Sequence, residues 1–306
     1  MTPPTPPENP SRSAPPTRAE PVGPARLSEL RAGIADIGLG LAEAARWIAG
    51  RPAHLWLRLA LLAALFWLWS LLAQALPRGF FATPGEVSHA LADLLTAPRQ
   101  DYLRALGETL RVYFGGLAMA ALIGIPLGLA MGALPLLGRS LNPFVNALAA
   151  TPLIALMPLV ILWAGLGDGA KMLIVMLGAV MPILINSYTG FRGASPQLAE
   201  MARAFDLSPW ARLRYILLPA AFHPIMAGLR LGATTGLVTA VIADIYMAMT
   251  GLGALLISFG NSFRMGPYLV IVLTFALIGT ATTGALSLIE RALTPPPARR
   301  RLFPNS

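Results

Sequence analysis

Residues 200–219 read EMARAFDLSPWARLRYILLP. Arg203, Arg212 and Arg214 stand here between two strongly apolar segments, so the stretch is read as a loop between membrane helices. Taken as a helix, 197–206 puts Leu198, Met201, Ala202 and Phe205 on one face, with Glu200, Arg203 and Asp206 elsewhere. A short two-faced helix of this kind fits a groove on a partner. Ser208-Pro209 then predicts an N-cap followed by Pro at the first helical position. Pro219 falls where this second element gives way to the next apolar run.

Outside this loop the chain is mostly apolar. Of its 306 residues, 56% are hydrophobic and 12% charged, with a mean hydropathy of +0.65. Soluble domains carry about 25% charged residues, so the composition predicts an integral membrane protein. The net charge of +9 does not point to nucleic acid, because the basic residues cluster in loops and tails flanking apolar spans. Positive charge kept on the cytoplasmic side accounts for that pattern. The sequence has no cysteine, which excludes disulfides and Cys-ligated metals. His54, His89 and His223 lie far apart without metal-ligand spacing. The first long apolar run starts near residue 55, and no cleavable signal is expected.

Residues 1–25 are Pro-rich and polar and are expected to form a disordered tail. In 26–54, Leu27, Leu30, Ile34, Ile37 and Leu41 recur at helical spacing among arginines, which predicts an amphipathic helix on the cytoplasmic membrane surface. A membrane domain follows over 55–292, and a basic tail over 293–306. A bilayer core of ~30 Å needs about 20 apolar residues in a helix. Six segments qualify: 55–76, 107–133, 144–165, 170–190, 221–248 and 267–290. Residues 77–106 form a long outer connection with a short helix expected over EVSHALADLL. With the N-terminus inside, fifteen Lys and Arg fall in inside segments. Six fall outside: Arg78, Arg99, Arg104, Arg111, Lys171 and Arg264. That asymmetry predicts both termini in the cytoplasm and the 200–219 loop with them.

The loop resembles the EAA loop of ABC-importer permeases, Glu-Ala-Ala, three residues, Gly, nine residues, Ile-x-Leu-Pro. Glu200, Met201, Ala202, Asp206, Ile216, Leu218 and Pro219 occupy the matching positions. Asp206 stands for the motif's Gly and Met201 for its first Ala, departures that bear on the shape of the docking elbow. Over residues 80–292 the chain is similar to the nitrate/sulfonate/taurine-type branch. The resemblance is carried by TLRVYFGGLAMAALIGIPLGLAMG (109–132), the run 151–193, GLRLG (228–232) and GLGALL (251–256). The resemblance implies an all-α fold of six transmembrane helices, of the type I importer permease kind. It also implies a cytoplasmic coupling helix in the loop between helices 4 and 5 (197–219). Two ABC ATPase subunits, a periplasmic or lipoprotein binding protein and a second copy of this chain are the implied partners, with no cofactor. Glu200, Met201, Ala202, Phe205, Asp206 and Pro219 would dock the ATPase. A bacterial inner-membrane location is likewise implied.

Gly124, Gly128 and Gly132 recur every four residues and predict close helix packing. The GLGDG turn at 165–169 lacks the context and Lys of a phosphate loop, so ATP hydrolysis is expected in a separate subunit. Ionisable residues inside spans default to functional hypotheses. Arg230 and Asp244 are two such residues, but fourteen positions of helix separate them by about 21 Å. Arg230 is expected to snorkel to the interface. Asp244, Thr235, Thr239 and Asn186 are candidates for a substrate pathway, with Asn261, Ser262 and Arg264 weaker ones. An ion-coupled secondary transporter or an inactive assembly subunit are the alternatives. The former would want internal repeats and buried charge relays.

Overall fold

The computed structural model describes residues 53–77, 79–96, 101–193, 208, 211, 213–248 and 250–294. The expected tail over 1–25, nearly all of the helix over 26–54, and the basic tail past 294 lie outside them. So do Glu200, Met201, Ala202, Phe205 and Asp206. By contacts the chain divides into two units, residues 1–68 and 69–306. The described part of the first is the start of helix α1 (Ala53–Ala75). Its Leu57, Leu61, Leu62, Leu65 and Phe66 are all exposed, as a lipid-facing span requires.

The second unit contains the rest. Its helices are α2 (Pro84–Thr96), α3 (Asp101–Ala133), α4 (Pro135–Ala150), α5 (Leu153–Ala164) and α6 (Asp168–Arg192). After the loop come α7 (Leu218–Ala243), α8 (Gly251–Asn261) and α9 (Met265–Leu293). All regular elements among the described residues are helical. Single π-turns precede α7 (Leu213–Leu217) and follow it (Asp244–Ala248). A capping box starts α2: Thr83 N–H donates to Glu86 Oε2 (2.8 Å) and Glu86 N–H to Thr83 Oγ1 (3.3 Å). Ser208 accepts from Ala211 N–H at 3.3 Å, the N-cap bond predicted before α7.

Five helices are long and apolar enough to cross a membrane, or six if the bent pair α4–α5 is one span. That pair covers the span expected over 144–165 and breaks it: α4 and α5 meet at 97°. Pro152 explains the break. It restricts Thr151 to an extended backbone (φ −74°, ψ 128°) and has no N–H to continue the α4 ladder. The second expected span also begins earlier, at Asp101, because residues assigned to the outer connection are the first turns of α3.

The most buried helix is α6, which packs along α3 on one side and α7 on the other. Small residues set the spacing. A Cβ at Gly128 of α3 would lie 2.5 Å from Leu184 O of α6. One at Gly232 of α7 would lie 2.9 Å from Ala179 O and 2.7 Å from the Ile183 side chain. Backbones this close admit only glycine, so α3, α6 and α7 form one tightly joined layer. Tyr113, Val175, Ala240, Leu252 and Ile271 lie in the apolar core that adjoins α8 and α9.

Candidate functional site

Between α6, α7 and the α4–α5 bend lies a cavity of about 510 Å³. Asn186, Thr235 and Thr239, singled out by sequence, all line it, with Thr234 beside them. Helical spacing places them there: 231, 234, 235, 238 and 239 form one stripe of α7, and 178, 181, 182, 185 and 186 form the facing stripe of α6. The bend adds a third wall, where Thr151 bears a hydroxyl. None of the described lining residues is charged. The hydroxyl hydrogens are engaged locally: Thr235 Oγ1 donates to Gly178 O (3.0 Å), Thr239 Oγ1 to Gly236 O (2.9 Å) and Thr234 Oγ1 to Arg230 O (3.1 Å). Asn186 Nδ2 donates to Pro182 O at 2.8 Å. The lining is thus neutral, with oxygen lone pairs left to face a guest.

Asp244 is not in this cavity. It is fully buried in the π-turn beyond α7, where Lys171 Nζ of α6 donates to its Oδ1 at 2.7 Å. Thr109 Oγ1 of α3 donates to Oδ2 at 2.6 Å and accepts from Leu252 N–H at 2.9 Å. Lys171 Nζ also donates to Thr250 Oγ1 at 2.6 Å. Sequence analysis counted Lys171 among the outer charges. The structure corrects this, because Lys171 is only 1% exposed and forms a buried ion pair. The signal was present: Lys171 lies just inside the span predicted over 170–190, at the same membrane end as Asp244. A lone charge in a span seeks an opposite one.

Arg230 points the other way. It pairs with Glu290 of α9, whose Oε1 also lies 2.8 Å from His223 Nδ1. Arg230, midway along α7, and Asp244, just past its end, therefore have different partners. Arg264 lies over the Phe259 ring (5.1 Å) and lines a second cavity of about 980 Å³ with Glu86, His89 and Asp93. Of the expected docking residues only Pro219 is described; it is exposed in the first turn of α7. Among the described residues there is no metal-binding cluster.

Known proteins resemble this one closely enough to settle its family. The model of the binding-protein-dependent transport system inner membrane component matches residues 124–295, more than half of the chain. The taurine transport system permease TauC of Escherichia coli (strain K12) is 29% identical over 256 residues, covering 82% of this chain and 92% of that one. A putative aliphatic sulfonates transport permease, SsuC of Bacillus subtilis (strain 168), is 28% identical over 264 residues with the same coverage. Among solved structures, an inward-facing MetNI methionine ABC transporter chain superposes with a TM-score of 0.57 at 20% identity, covering 65% of this chain and all of that one. That likeness establishes the fold, an ABC type I importer permease. The chain belongs to the binding-protein-dependent inner membrane components, as a multi-pass permease, not an enzyme, of the nitrate/sulfonate/taurine type.

Proposed function

We propose that this chain moves a small anion, such as a sulfonate, taurine or nitrate, through the cavity between α6 and α7. A separate cytoplasmic ATPase drives it through residues 200–219. The observation that carries this reading is connectivity. The two helices that wall the cavity are the two joined by the 194–212 loop. A partner that moves the loop therefore moves both walls. Met201, Ala202 and Phe205 would fill the ATPase groove, Glu200 would anchor the loop, and Asp206 and Pro219 would shape its elbow.

Two copies of this chain, two ATPases and a binding protein complete the importer, with both termini in the cytoplasm. The taurine and sulfonate permeases among the relatives support a sulfonate substrate. Thr235, Thr239 and Asn186 give the solute a neutral, oxygen-lined surface. Such a surface suits passage more than tight binding, so selection falls to the binding protein. Asp244 belongs to the end of the route and not to its wall.

A detergent pull-down of the tagged full chain tests the reading. An ABC-type ATPase should copurify with the parent and be lost with Glu200→Arg, together with ATP-dependent uptake of taurine. A parent chain that brings down no ATPase, or an unimpaired E200R, would remove the docking assignment.

A further inference from the structure

The Lys171–Asp244 pair lies at the end of the route with no role yet given to it, and it is the most deeply buried charged pair described. Four elements meet at it: α3 through Thr109, α6 through Lys171, the π-turn after α7 through Asp244, and the start of α8 through Thr250 and Leu252. Gly251, at φ +74°, closes in so tightly that a Cβ would lie 2.5 Å from Asp244 Oδ2.

Its position relative to the cavity is informative. Asp244 is five residues past Thr239 on α7, and Lys171 is six before Leu177 on α6. At a helical rise of ~1.5 Å per residue, the pair sits roughly 7–9 Å beyond the cavity, at the end remote from the docking loop. Ile174 and Ala243 lie between, both fully buried. The cavity therefore ends at a Gly178–Thr239 contact, and beyond it lie a dry apolar layer and a dry ion pair.

Tight packing alone does not call for ions there. A buried pair is often matched or bettered by apolar residues of the same volume. What the ions add is a switch between two states. Paired, each charge is satisfied without water. Separated, neither is tolerable dry, so separation and wetting of this layer occur together.

We propose that Lys171 and Asp244 are positioning residues for transport, which close the far end of the cavity when paired and admit water and solute when parted. The proposal rests on reading the cavity as the pathway.

The absence of cysteine from the sequence makes the test clean. Thr234→Cys places one thiol in the cavity of the full chain. A membrane-impermeant maleimide is applied to right-side-out vesicles, on the face opposite the loop. Labelling should be slow in the reporter parent. Lys171→Met and Asp244→Asn, each leaving one unpaired charge, should speed it ~10-fold, within the usual range for coupled sites. The double variant K171M/D244N, which carries no lone charge, should fall back toward the parent. Thr109→Val, which loses one donor and keeps both charges, should lie between. If either single variant fails to fold, T109V and the double variant decide.

Single variants or T109V that label at the parent rate overturn the proposal. So does a double variant as fast as the singles. Inside-out vesicles test the pathway itself: the reporter should be reached from the loop side at a rate none of these substitutions changes. A thiol inert from both faces in every variant, during turnover as well, would sink the pathway reading and this proposal with it. A thiol reached from the loop side, with no effect of Lys171 or Asp244 from the other, would sink the proposal alone.

Discussion

Helix α7 is clasped twice by a carboxylate and a cation, once along its first half and once just past its end, and the two clasps are built on opposite principles. Along the first half, Glu290 holds Arg230 and His223 with side chains 15%, 32% and 61% exposed. At the far end, Lys171 and Asp244 are 1% and 0% exposed. The wet clasp can part and let water replace each partner. The dry one has no such substitute, so losing either member strands a charge. The comparison teaches that a carboxylate–cation contact can be a tolerant tether or an all-or-none tie, depending on how deeply it is buried.

The comparison breaks most readily at the dry end. Lys171→Met should cost roughly 3–5 kcal/mol, the usual loss when one member of a buried pair is removed. Thermal unfolding in detergent reads it, and the apolar pair K171M/D244L should recover most of the loss. A stable K171M would mean that Asp244 finds water, contrary to its burial. Next comes Thr109→Val, at about 1.5–3 kcal/mol for a hydrogen bond to a charged group. Glu290→Gln should lower the unfolding temperature less than either, and its effect should shrink as salt is added. An unchanged effect in high salt would place that clasp in a drier setting than the structure does. Smallest is Arg104→Ala. Its i,i+4 partner Glu108 stays 3.1 Å away on an exposed face, and such pairs contribute ~0.3–0.5 kcal/mol.

Much of the fold was legible because apolar length is a local property. The expected spans over 55–76, 170–190 and 267–290 correspond to α1, α6 and α9 within a few residues. The bend at Thr151–Pro152 was not read, although Pro152 was in view. Whether a proline kinks a span or breaks it depends on what fills the space beside it. The cavity stripe was legible in part: Thr235 and Thr239 share a face by spacing alone. Lys171 was missed for a different reason. Its partner Asp244 is 73 positions away on another helix, so the pairing shows only when the membrane heights of the two predicted spans are compared, which no local pattern does. The docking residues Glu200 to Asp206 lie outside the described residues, and the loop remains a reading of its sequence.

The glycine contacts of α6 have a mechanical consequence. A helix of 25 residues is about 37 Å long. This one meets Gly128 on one flank and Gly232 on the other at distances that leave no room for a methyl group. Such a rod has little freedom to roll, slide or bow between its neighbours. A push applied at Arg192 is therefore shared with α3 and α7 through these contacts, and Pro182, which leaves one backbone bond of α6 unmade, is the joint inside the rod.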